Sequence, residues 1–311
     1  MDALVTGGAG FIGSHLVDAL LAQGMTVRVL DNFATGRESN IASSAAKIDL
    51  VRGDIRDADT VSRAVRGVKA VFHVGALPSV NGSISDPATW DMVNVHGSVN
   101  MLAAARDAGV ERFVFSSSSS VYGDTPVLPK SEDMPTKPLS PYALQKLAGE
   151  HYCRLFCELY GLKTVILRYF NVFGPRQNPR SQYAAVVPLF IESLLAGKAP
   201  TICGDGGQTR DFTFVADVVS ANIACLKAPP EAFGDAFNVA RGDRISVNAL
   251  AGTIMEAVGT RVAPVHVEAR QGEVRDSQAA VDKALRVLGW RSGVTFRDGI
   301  ERTVRAARSA G

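Results

Sequence analysis

A glycine-rich turn near the start constrains this chain more than any other feature. The short apolar strand Ala3–Val5 leads into TGGAGFIG at residues 6–13, and a leucine-bearing helix follows. Glycines at positions 7, 10 and 13 permit a tight turn, let the backbone approach a pyrophosphate and let the helix pack on the strand. The anion would lie at the helix N-terminus, where unpaired N–H groups point at it. Because such a turn alone is a weak signal, a purely structural turn stays the alternative.

An acidic residue follows the next predicted strand, Thr26–Leu30. Asp31 stands eighteen residues beyond Gly13, near the spacing at which a carboxylate hydrogen-bonds an adenosine ribose and repels a 2′-phosphate. Together the two signals predict NAD as the cofactor, in preference to NADP. Arg37 lies close enough to weaken that preference slightly, and an Asp in a plain loop is the alternative.

Strand and helix patterns alternate through the first 170 residues. This alternation predicts an α/β fold with a Rossmann-type, doubly wound parallel sheet, because βαβ crossovers place helices on both faces. Ligands of such sheets bind beyond the carboxyl ends of the strands. The candidate residues at or just past strand ends are therefore expected to share one site: Gly7, Asp31, Asp54, Gly75, Ser118 and Asn171. The predicted elements are strands at Ile48–Val51, Ala70–Val74, Arg112–Phe115 and Lys163–Leu167, and helices at Thr60–Val65 and Asn94–Ala108.

The pattern changes after Phe170, where loops rich in proline replace the alternation. A loop is predicted from Gly174 to Pro188 with a helix after it, and a later helix at Ala279–Leu288. No flexible linker separates the two parts, so we expect a smaller C-terminal substrate lobe, interleaved with the first part and closing over its crevice. The expected cofactor domain is 1–170 with 211–240, and the expected substrate lobe is 171–210 with 241–311.

The stretch Ser140–Lys146 offers a pair of groups that can move a proton. Ser140 is a good helix N-cap, and Pro141 suits the first helical position. Tyr142 and Lys146 then lie one turn apart on one helix face. An ammonium about 4 Å away would lower the pKa of a tyrosine by about three units, which makes it a general base near pH 7. Taken alone, such a pair is more often an ordinary contact on a solvated helix.

Five consecutive serines, Ser116–Ser120, follow a predicted strand. A hydroxyl at that strand end could hydrogen-bond both Tyr142 and a substrate oxygen. The alternative is a turn of small residues whose hydroxyls cap local backbone groups. The residues alone do not choose among the five.

The composition narrows the class of protein. A hydrophobic fraction of 46% and a charged fraction of 21% are typical of globular proteins, and a net charge of +2 gives no reason to expect nucleic acid or a membrane surface as partner. No apolar run reaches about 18 residues, and the first strand follows Met1 too closely for a signal peptide. The four cysteines and five histidines form no metal-ligand spacing. We therefore expect a cytoplasmic protein without a metal.

Together the motifs resemble those of the extended short-chain dehydrogenase/reductase family, and within it the nucleotide-sugar 4-epimerases. They are TGGAGFIG at 6–13, FSSSSSVYG at 115–123, YALQK at 142–146, RYFNVFGPRQNP at 168–179 and GDGGQTRDF at 204–212. The resemblance implies an isomerase that inverts C4 of a UDP-sugar such as UDP-glucose or UDP-N-acetylglucosamine. It also implies resident, recycled NAD and a transient 4-keto sugar that turns about its anchored diphosphate.

The resemblance also implies roles for individual residues. The catalytic residues are Ser118, Tyr142 and Lys146. The cofactor residues are Gly7, Gly10, Phe11, Ile12, Gly13, Asp31, Asn32, Asp54, Ile55, Asn94, Tyr142, Lys146 and Tyr169. The substrate residues are Ser79, Ser118, Ser119, Tyr142, Asn171, Val187, Arg210, Arg270 and Ser277.

Departures from the family pattern favour one substrate class. Related dehydratases and decarboxylases carry acidic residues after the catalytic hydroxyl, where this chain has Ser119 and Ser120. Ser277 stands seven residues past Arg270, where similar epimerases restricted to plain hexoses have a large aromatic residue. A small residue there leaves room for a 2-acetamido group. We therefore expect interconversion of UDP-GlcNAc and UDP-GalNAc, with UDP-glucose and UDP-galactose as further candidates.

Two alternatives stay open from the sequence. One is an NAD(P)-dependent epimerase or reductase that acts on another nucleotide sugar. The other is a non-catalytic dinucleotide-binding sensor, although such proteins usually lose the Tyr/Lys pair that is intact here. The family further implies a homodimer, formed through the helices Asn94–Ala108 and Tyr142–Tyr160.

Overall fold

A seven-stranded parallel sheet lies at the centre of this computed structural model, which describes residues 1–179, 184–268 and 274–310. The strands are β1 (Ala3–Thr6), β2 (Val27–Asp31), β3 (Ile48–Arg52), β4 (Ala70–His73), β5 (Arg112–Ser118), β6 (Thr164–Tyr169), β7 (Val172–Phe173), β8 (Thr201–Cys203), β9 (Thr209–Arg210), β10 (Thr213–Phe214), β11 (Ala236–Val239), β12 (Ile245–Ser246) and β13 (Val265–Val267). The large sheet has the order β11-β6-β5-β4-β1-β2-β3. Its neighbouring strands all pair in parallel, which confirms the predicted doubly wound sheet.

Helices cover both faces of this sheet, as a parallel sheet requires. The helices are α1 (Phe11–Ala22), α2 (Glu38–Ile41), α3 (Ala58–Val65), α4 (Val80–Ser85), α5 (Pro87–Asp91), α6 (Gly97–Asp107), α7 (Pro141–Tyr160), α8 (Val186–Leu195), α9 (Val215–Ala224), α10 (Val247–Val258), α11 (Asp282–Leu288) and α12 (Phe296–Ala310). One core packs α1 and α9 against the sheet, and the other packs α3, α6 and α7. Each fully buried Val, Leu or Phe side chain in these cores stabilises the fold by about 1.5–3 kcal/mol.

The second lobe has a core of its own. Apolar side chains of α8, α10 and α12 pack together with Phe212 and Phe214. Short strand pairs connect its segments, namely β7 with β10, β8 with β13 and β9 with β12. Over the described residues, no helix combines the length and the apolar character needed to cross a bilayer.

Strand β5 is longer than the sequence pattern predicts. It continues past Phe115 to Ser118, because the serines pair with β6 in register: Ser116 with Leu167, Ser117 with Arg168 and Ser118 with Tyr169. Backbone pairing satisfies the strand here, and the hydroxyls find partners of their own. Consecutive serines therefore point to opposite faces of the sheet.

Several predicted helix limits were wrong for identifiable reasons. Helix α8 begins at Val186, before Pro188, since a proline costs no hydrogen bond within the first turn. The predicted helix from Ala279 forms only from Asp282, because Ala279 bridges to Lys130 instead. The long helix expected from residue 94 starts with a π-helical turn, Met92–His96, that runs into α6.

Candidate active site

A cavity of about 510 Å³ opens at the carboxyl ends of the central strands. This size lies within the usual range for a ligand site. Every predicted cofactor residue except Asn94 lines the cavity, which brings the turn after β1, the ends of β2 and β6, and the start of α7 to one place. These lining residues are Gly7, Gly10, Phe11, Ile12, Gly13, Asp31, Asn32, Asp54, Ile55, Tyr142, Lys146 and Tyr169.

The glycine-rich turn forms one wall of the cavity and leaves no room for side chains. A Cβ atom on Gly13 would lie 2.1 Å from the carbonyl oxygen of Gly7, and one on Gly7 would lie 2.8 Å from Cα of Gly75. Gly7 also has a φ of +65°, which disfavours other residues. Helix α1 begins directly after Gly10 and has no acidic residue in its first turn. Its free N–H groups thus fit a pyrophosphate.

The part of the cavity next to this turn carries two carboxylates, Asp31 and Asp54. The Asp31 carboxylate accepts hydrogen bonds from the backbone N–H groups of Ala9 (2.9 Å) and Phe33 (2.8 Å), which fasten the glycine-rich turn to β2. Asp54 pairs with Arg56, whose hydrogen bonds lower the pKa of Asp54 to about 2. Arg37 is exposed and does not line the cavity. Two carboxylates at this end fit the ribose of NAD better than a 2′-phosphate.

Asn94 is 2% exposed and is not among the residues that line the cavity, so its contact with the cofactor stays a prediction. Its amide oxygen accepts from the N–H of Leu77 (2.8 Å), and its amide nitrogen donates to the carbonyl of Leu77 and to Gln145 (both 3.1 Å). All of its polar atoms are therefore engaged by protein. Leu77 does line the cavity, so Asn94 positions the loop that carries Leu77.

His73 connects the same strand ends through a chain of buried hydrogen bonds. The Ser98 hydroxyl donates to the carbonyl of Asn94 (2.6 Å), so its oxygen accepts from Nε2–H of His73 (2.9 Å). Nδ1 of His73 then accepts from the Thr6 hydroxyl (2.8 Å), whose oxygen accepts the N–H of Gly75 (3.0 Å). Burial lowers the pKa of His73 to about 3, so the ring is neutral. This series of hydrogen bonds holds Gly75 against the glycine-rich turn.

The helix that carries Tyr142 begins as predicted. The Ser140 hydroxyl accepts the N–H of Ala143 (3.2 Å), and Pro141 is the first helical residue. The backbone N–H of Tyr142 donates to the hydroxyl of Ser83 (3.0 Å), which sets the start of α7 against α4. Among the five serines, Ser118 is the one whose hydrogen bonding lowers the pKa of Tyr142. The structure thus separates Ser118 from its neighbours.

The expected effect of Lys146 on Tyr142 was wrong for this geometry. The Lys146 ammonium donates to the carbonyl of Ser116 at 2.8 Å and lies 6.0 Å from the centre of the Tyr142 ring. Burial raises the pKa of Tyr142 to about 12 and lowers the pKa of Lys146 to about 8. Desolvation is the largest cause of both shifts, because burial disfavours the charged form of each group.

Tyr169 stands at the innermost wall of the cavity and is held rigidly. Its hydroxyl bonds to the Ser116 hydroxyl at 2.9 Å and accepts from the amide of Asn222 on α9 at 2.8 Å. Burial raises the pKa of Tyr169, so it stays a neutral phenol. Ser116 and Asn222 were missed in the sequence, and no spacing signal points to Asn222.

Two predicted substrate residues lie close together, namely Arg210 on β9 and Ser277, which bonds to β9. Arg210 donates to the carbonyls of Thr209 and Arg275 (both 2.9 Å), and the N–H of Ser277 donates to the carbonyl of Thr209 (3.1 Å). Ser277 is 5% exposed. Thr209 therefore places Ser277 beside the strand that bears the Arg210 guanidinium.

Among the other predicted substrate residues that the structure describes, Tyr142 lines the cavity, whereas Ser79, Ser118, Ser119, Asn171 and Val187 do not. Ser79 accepts the N–H of Gly82 and caps α4, and Ser119 opens the 3₁₀ turn Ser119–Tyr122. Asn171 is exposed with a φ of +24°. The Val187 side chain is 2% exposed and packs in the core of the second lobe. Arg270 lies outside the described residues.

The cavity has further lining residues around Gly75, which was predicted to share the site; its neighbours were missed. A run of five follows β4, and Trp90 of α5 faces it. The run comprises Val74, Gly75, Ala76, Leu77 and Pro78.

Comparisons with known proteins agree with this arrangement. The model of the NAD dependent epimerase/dehydratase family matches residues 3–240. A UDP-glucose 4-epimerase from Mycolicibacterium smegmatis is 44% identical over 313 residues, which cover 99% of each chain.

Solved structures match over the whole chain. A UDP-N-acetylglucosamine 4-epimerase from Methanobrevibacter ruminantium, in complex with UDP-N-acetylmuramic acid, has a TM-score of 0.95 at 36% identity, covering 100% of this chain and 99% of that one. A UDP-glucose 4-epimerase from Thermus thermophilus, in complex with NAD, has a TM-score of 0.90 at 39% identity, covering 100% of both chains.

Proposed function

Since this chain belongs to the NAD-dependent epimerase/dehydratase family and is an NAD-dependent UDP-sugar 4-epimerase, we propose that it interconverts UDP-GlcNAc and UDP-GalNAc. UDP-glucose and UDP-galactose are its second substrate pair. The observation that carries the reaction is that Tyr142 and Lys146 both line the cavity that fits NAD, with the Ser118 hydroxyl close to the Tyr142 phenol. An intact proton-transfer set argues against the sensor alternative.

The cavity fits NAD through its own residues. The glycines after β1 leave space for the pyrophosphate, Asp31 and Asp54 receive the adenosine end, and Tyr169 closes the nicotinamide end. When bound, NAD supplies a hydride acceptor and donor next to C4 of the sugar and a positively charged ring. The protein contributes position and proton transfer.

Proton transfer falls to Tyr142. Its phenolate takes the proton of the sugar 4-hydroxyl, and the resulting phenol later returns that proton to the 4-oxygen. C4 is inverted because the 4-keto sugar turns before it regains the hydrogen removed from C4, which then adds to the opposite face. Ser118 holds the same oxygen in line, since its hydroxyl already interacts with the phenol. Burial raises the pKa of Tyr142, so the phenolate depends on nearby positive charge, which the Lys146 ammonium and the N-terminus of α7 supply.

The diphosphate anchor has to be strong and the sugar contacts weak, because the 4-keto sugar must turn between the two proton transfers. We assign the anchor to Arg210, Asn171 and Arg270, of which Arg270 lies outside the described residues. Guanidinium groups pair with phosphate oxygens in a bidentate fork. The Arg210 guanidinium donates to the backbone carbonyls of Thr209 and Arg275, and these two hydrogen bonds fix its position.

The preference for an acetamido sugar rests on Ser277. It is a small residue that Thr209 ties to the strand of Arg210, so the two stand at one side of the proposed sugar site. The likeness to a UDP-N-acetylglucosamine 4-epimerase supports this choice, and the likeness to UDP-glucose 4-epimerases supports the second pair.

The direct test is to incubate the pure protein, without added cofactor, with UDP-GlcNAc and separately with UDP-glucose. Products would be resolved by anion-exchange chromatography and NMR. We expect the C4 epimer of both sugars without net NADH, with faster conversion of UDP-GlcNAc. Conversion of the plain hexose alone would contradict the proposed substrate and leave the proposed reaction intact.

We also propose a homodimer that forms through α7. This helix exposes an apolar stripe of Leu144, Tyr152, Leu155 and Leu159 to solvent in the single chain. Burying these side chains against a second copy is favourable. Sedimentation of the wild type and of Leu159→Asp would test this proposal: we expect a dimer and a monomer, and two monomers would contradict it.

The division into domains stays part of the proposal. Strand β11 returns the chain to the large sheet beside β6, which supports assigning 211–240 to the cofactor domain with 1–170. The separate core of α8, α10 and α12 supports a substrate lobe made of 171–210 and 241–311.

A further inference from the structure

A buried carboxylate below the cavity connects three elements of the site. Glu150 on α7 is 2% exposed and accepts three hydrogen bonds. The Ser117 hydroxyl on β5 donates to Oε1 at 2.5 Å. Arg168 on β6 donates from Nε to Oε1 at 2.9 Å and from Nη2 to Oε2 at 2.7 Å, a bidentate pair. All donors aimed at Glu150 thus come from two adjacent strands.

Each of these three residues lies next to a residue of the proposed reaction, either one helical turn away or adjacent in the sequence. Lys146 precedes Glu150 by one helical turn on α7. Ser118 follows Ser117, and Tyr169 follows Arg168. Ser117 and Arg168 are register partners in the sheet, as are Ser118 and Tyr169 one position later. A shift of α7 against β5 or β6 would therefore break the bonds to Glu150.

We propose that Glu150 is a positioning residue for proton transfer: it locks α7 onto β5 and β6 and keeps Lys146 charged. This inference rests on the proposed function of Tyr142 and Lys146. Glu150 touches neither the cavity nor Lys146, so it acts through the elements it joins and through its charge. A purely structural ion pair with Arg168 is the competing account.

The charges around Lys146 make Glu150 the relevant anion. Facing Lys146 are Cys153 from α7, the carbonyl of Ser116 and the ring of Phe115 from β5, and His73 from β4. Burial raises the pKa of Cys153 well above its usual value and lowers that of His73 to about 3, so both are neutral near pH 7. Glu150 therefore supplies the negative charge that favours the ammonium form of Lys146.

Two kinds of variant separate positioning from bare stability. Glu150→Gln keeps the shape but removes the charge, and it leaves Arg168 buried without its anion. The double variant Glu150→Leu with Arg168→Met replaces the whole pair by apolar groups, which often restores stability. Ser117→Ala is a milder change that removes one bond and keeps both charges. Asp217→Asn is the matched control, because Asp217 is a buried carboxylate that binds the N–H groups of Gly293 and Val294 away from the cavity.

The experiment measures kcat, KM and the pH profile of kcat with UDP-GlcNAc, together with the titration of Lys146 by NMR. For both Glu150 variants we expect kcat to fall by about ten- to a hundredfold, as a misplaced reacting group does, with KM nearly unchanged. The loss of charge should move the alkaline limit of kcat and the Lys146 titration to lower pH by about one unit. Ser117→Ala should lower kcat without moving the pH limit, and Asp217→Asn should change neither.

The proposal would be overturned if the double variant had the same kcat, the same alkaline pH limit and the same Lys146 titration as the wild type. The ion pair of Glu150 and Arg168 would then be a structural feature only. If neither Glu150 variant folds, Ser117→Ala decides, because an unchanged kcat would contradict the positioning role. A wild-type protein that converts no UDP-sugar would instead contradict the proposed function, whereas the Lys146 titration would still report on Glu150.

Discussion

The cofactor cavity and the second lobe bring their residues together by different means. Most of the cavity is made of strand ends and the turns directly after them, which the large sheet places. The first turns of α1 and α7, with Trp90 of α5, complete its wall. In the second lobe, Arg210 and Ser277 meet because Thr209 bonds to segments more than sixty residues later in the chain. Topology thus fixes the first region, whereas pairing between distant short segments fixes the second.

This difference teaches where substitutions should act. Changes in the cavity should remove cofactor binding or chemistry for every sugar, because all substrates share that region. Changes in the second lobe should alter which sugar is used and leave NAD in place. The predictions below test this separation, from the largest expected effect to the smallest.

The largest effect is expected for Tyr142→Phe. Removing the phenol oxygen deletes the group that moves the proton, so kcat should fall about a thousandfold or more. NAD should stay bound, because the ring still lines the cavity. Turnover by NMR and NAD released on denaturation measure the two quantities. Wild-type turnover in this variant would refute the proton-transfer role.

Gly13→Ala should lose NAD and stability together. The added methyl would lie 2.1 Å from the Gly7 carbonyl, and overpacking of this kind costs about 1–3 kcal/mol. Gly252→Ala is the control, since nothing lies within 4 Å of its added methyl in α10. That substitution should stabilise the fold by about 0.4–1 kcal/mol. Thermal unfolding and the amount of bound NAD are measured for both variants. A Gly13→Ala protein that binds as much NAD as the wild type would contradict the assignment of the pyrophosphate to the glycine-rich turn.

Ser277→Tyr should change the choice of sugar. The larger side chain takes the space proposed for the acetamido group, so kcat/KM for UDP-GlcNAc should fall about ten- to a hundredfold more than for UDP-glucose. Ser277→Ala is the matched control and should leave both values close to wild type. An equal loss for both sugars would show that position 277 acts through packing rather than through specificity.

His73 gives the region of the cavity a stability that depends on pH. Its pKa is lowered to about 3 in the fold against about 6.5 unfolded, so the unfolded chain binds one more proton between these values. Stability from this group is complete above pH 6.5 and is lost as the pH falls, by at most about 1.4 kcal/mol per unit. His73→Gln should flatten the curve of unfolding free energy between pH 4 and 6.5, whereas His266→Gln, at an exposed site, should not. A slope that His73→Gln leaves unchanged would contradict this account.

Much of the cofactor region could be predicted because its signals are local. The spacing from Gly13 to Asp31 and the caps at Ser140 and Pro141 depend on a few neighbouring residues, and the structure agrees with them. The hydrogen bonds of the Asn94 amide to Leu77 could not be predicted, because no local pattern connects the two residues.

What the sequence could not supply depends on burial and on contacts across the fold. The expected lowering of the Tyr142 pKa assumed an ammonium in solvent-like surroundings, and desolvation reversed the direction. Glu150 and Asn222 carry no motif, because their partners come from strands and helices far away in the chain. The resemblance implied Ser118, whereas the residues alone could not show that Ser116 and Ser118 share one face of β5 and Ser117 lies on the other.

The central claim is that the hydrogen removed from C4 of the sugar returns to the same carbon, and the most direct test follows that hydrogen. UDP-GlcNAc labelled with deuterium at C4 would be incubated with the pure protein without added cofactor, and the product examined by NMR and mass spectrometry. The account predicts UDP-GalNAc that keeps its deuterium at C4 and no net NADH, since the hydrogen removed from C4 returns to the same carbon. An epimer that has lost its deuterium to solvent, or no conversion of UDP-GlcNAc, would contradict it.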